Sequence, residues 1–222
     1  MIENYKQDKN GVIQQINRKP FSYDYNYSDN YNSELYKENS KVLSGARVGF
    51  SIANHNLFYG YTKVNSILDI GYGNGEFLKQ CSKFIPNCYG YDVSPYKLDS
   101  PIKLIDSIEE VLSTRFDIIT FWDSLEHFEN IDFIENLKCD IICISMPYCH
   151  WNRDEDDEWF KNWKHRKPDE HLYHFNPRTL CNFMESKKYK SLIMNSNIEE
   201  IVRQNKNEPR QNIFSSCYMK LY

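Results

Sequence analysis

Apolar and polar positions divide the chain near residue 65. Beyond it, short apolar runs alternate with amphipathic stretches. Ser66-Ile67-Leu68-Asp69-Ile70, Cys88-Tyr89-Gly90-Tyr91-Asp92-Val93, Ile102-Lys103-Leu104-Ile105, Phe116-Asp117-Ile118-Ile119-Thr120-Phe121 and Ile141-Ile142-Cys143-Ile144-Ser145-Met146 each read as a strand. Residues 76–84, 131–137 and 178–186 read as helices, the last with Pro177 at its start, where a missing N–H removes no helical bond. Near-continuous apolar strands separated by helices predict a parallel sheet covered on both faces. Leu192-Ile193-Met194 and residues 213–221 predict a closing antiparallel pair.

Residues 1–50 are different. They are polar and rich in tyrosine and asparagine, and the run Phe21-Ser22-Tyr23-Asp24-Tyr25-Asn26-Tyr27 has no clear period. Residues 34–48 read as a helix with Leu35, Val42 and Leu43 as core contacts. With too few aliphatic residues for a core of its own, the segment is expected to be an N-terminal cap on a main domain over 51–222; a loosely ordered tail is the alternative. The polar stretch 148–170, with Trp151, Trp159 and Trp163 among charges, is long for a bare connection and predicts a lid or short helices.

The length, 222 residues, suits one large domain. Such a chain buries about 70% of its unfolded surface and needs no disulfide or metal to fold. A formal charge of −4 argues against a general nucleic-acid coat, which requires a basic surface. The polar start carries no signal core and no stretch is long enough to span a membrane. The seven cysteines form no CxxC pair and are expected to be reduced and mostly buried, in a cytoplasmic protein.

The candidate chemistry starts at the end of the first strand. Gly71-Tyr72-Gly73-Asn74-Gly75 links it to a helix. Glycines on alternate positions let the backbone turn sharply and approach a ligand, and the helix N-terminus offers unpaired N–H groups. A dinucleotide fingerprint would place its third glycine where this chain has Glu76. An acid there repels a pyrophosphate. Together with Asp69 it suits a ligand carrying an amine and a sulfonium. The second strand ends at Asp92, whose carboxylate can accept from both hydroxyls of a ribose. A helix cap, with Ser94 and Pro95 following, is the plainer reading of Asp92; the glycine loop upstream favours the ribose.

These residues, with Trp122-Asp123-Ser124-Leu125-Glu126-His127 and Glu170-His171-Leu172-Tyr173-His174-Phe175, resemble class I S-adenosylmethionine-dependent methyltransferases, in the branch that includes ubiquinone-biosynthesis O-methyltransferases and small-molecule enzymes. The likeness covers 65–190. It implies a Rossmann-like α/β sandwich with a seven-stranded, mostly parallel sheet whose last strand is antiparallel. It further implies that Asp69, Gly71, Gly73, Asn74 and Gly75 surround the methionine part of the cofactor, that Asp92 and Val93 hold the ribose, and that the turn at Asp106, Ser107 and Ile108 lies by the adenine. Trp122 and Asp123 would line the sulfonium side, and Arg47 would meet the cofactor carboxylate.

Asp123, Glu126 and His127 sit at i, i+3 and i+4 and share a face if that segment is helical. His171 lies in a second Glu-His unit, and both segments are expected at the mouth of the sheet. Three roles remain open. His127 or His171, supported by Glu126, acts as general base. Asp123, Glu126, His127 and His171 bind a divalent metal, an arrangement that resembles the E-x-x-E-H set of metal-dependent small-RNA 2′-O-methyltransferases. Or the groups are hydrogen-bonded supports for the lid.

Other signals are discounted. Ser145-Met146-Pro147-Tyr148 stands in the wrong place for the N-P-P-Y element of nucleic-acid amino-methyltransferases. Lys161, Lys164, His165, Arg166 and Lys167 follow five acids and read as a solvated lid. The expectation is therefore methyl transfer to a hydroxyl or amine of a small molecule, a sugar or quinone-like precursor. The rivals are an RNA-terminus 2′-O-methyltransferase, a noncatalytic S-adenosylmethionine-binding protein, and a nucleotide-dependent oxidoreductase disfavoured by Glu76.

Overall fold

The computed structural model describes residues 2–19, 21, 34–93, 97–151, 154–203 and 210–222, with the backbone alone over 34–37. Most of the tyrosine-rich run, and Ser94 and Pro95, lie outside the described residues. Ten strands are present among the described residues: β1 (Tyr5–Gln7), β2 (Ile13–Gln15), β3 (Ser66–Ile70), β4 (Asn87–Tyr91), β5 (Lys103–Leu104), β6 (Arg115–Trp122), β7 (Lys138–Pro147), β8 (Tyr173–His174), β9 (Tyr189–Ser196) and β10 (Ile213–Lys220). The helices are α1 (Glu34–Tyr59), α2 (Glu76–Cys81), α3 (Ile108–Ser113), α4 (Asp157–Asn162), α5 (Pro177–Ser186) and α6 (Ile198–Arg203).

Seven strands form one sheet in the order β5-β4-β3-β6-β7-β10-β9. β5, β4, β3, β6 and β7 pair in parallel, whereas β10 runs antiparallel to both β7 and β9. The expected Rossmann-like sheet with a reversed last strand is the sheet observed. The chain winds outward from β3 to β5, then returns to lay β6 on the other side of β3. That reversal opens a crevice at the carboxyl ends of β3 and β6, where ligands bind in open α/β sheets.

The apolar runs are continuous because successive residues face opposite layers, both of them covered. Leu68, Ile119 and Ile142 join the core under α5, with Leu180 and Phe183, while Ile67, Ile118 and Ile141 join the core under α1 and α2, with Val48 and Phe77. α5 begins with a reciprocal cap: Asn176 Oδ1 accepts from the Thr179 N–H, and Thr179 Oγ1 accepts from the Asn176 N–H.

Several expected boundaries shift. The helix expected over 34–48 continues to Tyr59, so the expected boundary at residue 50 falls inside α1. Its buried stripe runs through Leu43, Val48, Ser51, Asn54 and His55. Val42 lies off that stripe and is 64% exposed, because one residue turns about 100° around a helix. The helix expected over 76–84 ends at Cys81, and residues 131–137 form a 3₁₀ helix, Asp132–Asn136. The short β1, β2 and β8 make a second, three-stranded antiparallel sheet that the sequence pattern did not announce. It ties the N-terminus to the lid, where Tyr5, Trp151, Phe160 and Trp163 form a small aromatic core. The tryptophans thus pack the lid, with Trp151 stacked on Phe160 at 4.3 Å between ring centres.

Candidate functional site

The loop after β3 turns on glycines in left-handed conformations: φ is 85° at Gly71, 55° at Gly73 and 73° at Gly75. A Cβ on Gly71 would stand 2.4 Å from the Ser124 side chain, so the loop lies flush against the segment after β6. Ser124 Oγ completes that contact by donating to the Ile70 carbonyl at 2.6 Å. Asp92, just past β4, accepts from the Gly73 N–H at 2.9 Å. The turn and the carboxylate therefore hold each other in place.

A cavity of about 740 Å³ opens beside them. Gly71, Tyr91, Asp92, Val93, Ile108, Asp123 and Ser124 form one part of its wall. The other part comes from His127, Phe128 and Phe133, from Leu172 and Asp169 of the lid, and from Arg18, Lys19 and Phe21 of the N-terminal segment. That segment is anchored: β2 pairs with β8, Gln15 Nε2 donates to Asp169 Oδ1 at 2.8 Å, and the Lys19 N–H donates to the same oxygen at 3.0 Å.

Asp123 is the hinge of the wall. It is a non-glycine residue with φ 53°, its N–H donates to the Ser145 carbonyl, and its carboxylate meets Arg47 Nη2 at 2.6 Å and Arg203 Nη2 at 3.5 Å. Burial opposes its ionisation, but the two guanidiniums outweigh burial and hold its carboxyl below the usual range. Arg47 also meets the fully buried Glu199 of α6 at 2.7 Å. Burial alone would lower the Arg47 pKa, and Glu199 and Asp123 raise it instead.

Not every expected cofactor residue lines the cavity. Arg47 stands behind Asp123, its guanidinium 5.0 Å from the Trp122 ring centre, and Trp122 is buried against Phe50 and Phe77. Asp69 is buried behind the loop, where it accepts from Thr120 Oγ1 at 2.6 Å; burial pushes its pKa up to about 7 against that bond. Asn74 accepts from the Glu76 N–H at the start of α2 and bonds Ser40. Gly75 packs against Leu98. Asp106 is exposed, and Ser107 caps α3 by accepting from the Glu110 N–H, leaving Ile108 to reach the cavity.

The Glu-His elements converge. Leu125–His127 is a single 3₁₀ turn, and the Leu172 N–H donates to the Glu126 carbonyl at 2.8 Å, which brings the lid onto it. One potential ligand atom each from Glu126, His127 and His171 lies within 4.8 Å of the others. Asp123 does not join them, because it precedes the turn and its carboxylate is taken up by the arginines. The rings of His127 and His171 are 4.6 Å apart and nearly perpendicular. Burial lowers the pKa of His127 to about 4, and burial with the neighbouring His127 lowers that of His171 to about 2, so both are neutral at neutral pH. Glu126 is 1% exposed, and burial followed by the charge of Asp123 raises its carboxyl well above the usual range.

Sequence reasoning missed the cavity contributions of Arg18, Lys19 and Phe21 and the ion pair with Glu199. Nothing local announces them, since each depends on a segment distant in the chain.

Residues 44–190, more than half of the chain, match the family described as "Methyltransferase domain". Among curated proteins none matches this sequence. The fold resembles that of the plantazolicin methyltransferase BpumL, solved with a monoazolic desmethylPZN analog and SAH, at 16% identity and a TM-score of 0.56 over 88% of this chain and 94% of that one. It also resembles the magnesium protoporphyrin IX methyltransferase of Synechocystis PCC 6803, solved with SAH, at 11% identity and a TM-score of 0.52 over 85% of this chain and 88% of that one. A third likeness is to the Haloferax volcanii methyltransferase in complex with its Trm112 activator, at 8% identity and a TM-score of 0.57 over 88% of this chain and 98% of that one. Among the described residues no helix is long and apolar enough to cross a membrane. The chain belongs to the methyltransferase-domain family and carries the class I fold of S-adenosylmethionine-dependent enzymes.

Proposed function

We propose that this protein transfers a methyl group from S-adenosylmethionine to a hydroxyl or amine of a small molecule. One observation carries the reading: Asp92 and the glycine turn brace each other at the sheet's switch point and share one cavity with His127. The residues suit the donor. Gly71 presents backbone without a side chain, Asp92 has a carboxylate for the ribose hydroxyls, and Val93, Tyr91 and Ile108 give an apolar wall for a flat base. Asp123, held in place by the two arginines, gives the wall a fixed polar edge beside the donor.

When bound, S-adenosylmethionine supplies a methyl already activated on a cationic sulfur. The protein's task is then alignment and exclusion of water. Phe21, Phe128 and Phe133 give the acceptor an apolar chamber, closed by the lid and by the N-terminal segment. His127 borders that chamber as a neutral imidazole and meets the acceptor's reactive group, with Glu126 and His171 behind it as positioning residues. Two solved structures of similar fold are named as methyltransferases of plantazolicin and of magnesium protoporphyrin IX, which agrees with such a chamber.

The test has two parts. Calorimetry with S-adenosylhomocysteine is expected to give one site per chain. Incubation of the protein with methyl-labelled donor and a metabolite extract is expected to give a labelled small molecule identified by mass spectrometry. A protein that binds the product yet labels nothing would sink the catalytic half of the reading.

A further inference from the structure

We infer that Glu126, His127 and His171 form a binding site for one divalent transition-metal ion in the wall of the acceptor chamber. The site goes beyond methyl transfer and stands on its own geometry.

The first observation is the carboxylate. Glu126 is 1% exposed, and among the described residues neither of its oxygens has a hydrogen-bond partner in another residue. A buried carboxylate without a partner costs several kcal/mol by the usual Born argument. Taking up a proton relieves only part of the deficit, because the new O–H satisfies one oxygen and leaves the other unpaired. A cation between the carboxylate and the two rings satisfies the oxygens directly.

The second observation is the orientation of the histidines. His171 Nδ1 lies 2.8 Å from the His165 carbonyl, so Nδ1 carries the hydrogen and Nε2 is left with its lone pair. Backbone at Glu170 hydrogen-bonds His127. A ring N–H fixed on a backbone carbonyl is the arrangement that orients metal-binding histidines. Here the lid segment around residues 165–171 supplies it.

The third is spacing. Ligand atoms on one tetrahedral ion lie about 3.4 Å apart, given metal–ligand bonds of roughly 2.1 Å. The three candidate atoms lie within 4.8 Å of one another, so the set is at most about 1.4 Å wider than that spacing. Two imidazoles and one carboxylate select zinc or a similar borderline ion over magnesium or calcium, which prefer oxygen. Because His127 borders the cavity, an ion held through it stands beside the acceptor. An ion held there would supply Lewis-acid polarisation of an acceptor hydroxyl, with His127 as its ligand in place of direct contact with the acceptor.

The experiment uses the untagged full chain, stripped of metal and titrated by calorimetry with zinc ion and then with cobalt ion, whose visible absorption reports its ligand field. The expected result is one equivalent bound, with affinity at least tenfold weaker in Glu126→Gln and His171→Ala and unchanged in Glu109→Gln, an exposed carboxylate on α3. Glu126→Gln is nearly isosteric and keeps the test decisive should His171→Ala fold poorly. Absence of stoichiometric binding by the wild type, or equal affinity in Glu126→Gln, overturns the site. S-adenosylhomocysteine titrated into the same samples separates this outcome from a failure of the methyltransferase reading.

Discussion

Arg47 Nη2 lies 2.6 Å from Asp123 Oδ2, joining the middle of the longest helix to the first residue after β6. The same guanidinium bonds Glu199 through Nε at 2.8 Å, and Arg203 of α6 meets both carboxylates. A wall residue of the cavity, held at φ 53°, is thus fixed by charges from two helices. Non-glycine residues in that region cost about 1–3 kcal/mol and persist where their surroundings dictate them.

Arg47→Ala leaves Glu199 buried with, among the described residues, only Arg203 to pair with it. Breaking one side of a buried ion pair costs about 3–5 kcal/mol. The variant is expected to lose stability of that order in denaturant titration. Arg47→Met combined with Glu199→Leu is expected to recover most of the loss, since apolar replacement of a buried pair is often neutral. If the double variant is as unstable as the single one, the guanidinium's role is packing on Trp122 rather than charge.

Asp92→Ala is expected to weaken S-adenosylhomocysteine binding by roughly 10–100-fold, because two hydrogen bonds to a charged acceptor are lost at about 1.5–3 kcal/mol for each, less what water recovers. Calorimetry reads this directly. Unchanged affinity would remove the ribose assignment and leave Asp92 as a brace for Gly73.

Gly71→Ala tests the loop geometry. Its φ of 85° disfavours any side chain, and the new Cβ would stand 2.4 Å from that of Ser124. The strain is about 1–3 kcal/mol before the clash is counted. Both thermal stability and S-adenosylhomocysteine affinity are expected to fall. A variant with wild-type values in both would show that the turn tolerates a side chain and that the contact with Ser124 is loose.

Much of this architecture is legible in the sequence, for physical reasons that also explain the gaps. β3 is legible to the residue because four successive buried positions, Ile67 to Ile70, end at a glycine. The glycine turn and Asp92 follow at a spacing that local chain geometry enforces. The second half of α1 is not legible because its buried stripe is polar: Ser51 and Asn54 bond the carbonyls of Arg47 and Phe50, and His55 meets Asp140 at 3.3 Å. The small sheet was invisible because strands of two or three residues carry no period. The grouping of Glu126, His127 and His171 was half visible. Their residue types suggested a cluster, but only the fold reveals that Asp123 belongs to the arginines.

Asp69 gives a pH signature. Its pKa is about 7 in the folded chain against 3.8 for the free side chain, with burial as the main cause. The folded state therefore holds this proton more tightly than the unfolded state. The contribution to stability is present in full below about pH 4 and is lost as pH rises through about 7. Asp69→Asn keeps an acceptor for Thr120 and cannot ionise. Relative to the wild type, the variant is expected to gain stability between roughly pH 5 and 8 in denaturant titrations at both values. A constant difference across that window would mean that Asp69 is already ionised at the lower pH.

The last prediction separates chemistry from support on the acceptor side. His127 borders the cavity and His171 stands behind it. Whether His127 takes the proton itself or acts through an ion, its loss withdraws a group from the transition state and leaves the glycine turn and Asp92 untouched. His127→Ala is expected to lower the rate of label transfer about 100-fold or more, the usual span for a proton-handling group, with S-adenosylhomocysteine affinity within about twofold of the wild type. His171→Ala is expected to do the same to a smaller degree, because it acts through its neighbours. If affinity falls and label transfer at saturating donor does not, the two histidines are supports for the lid, and the reacting group meets another part of the chamber.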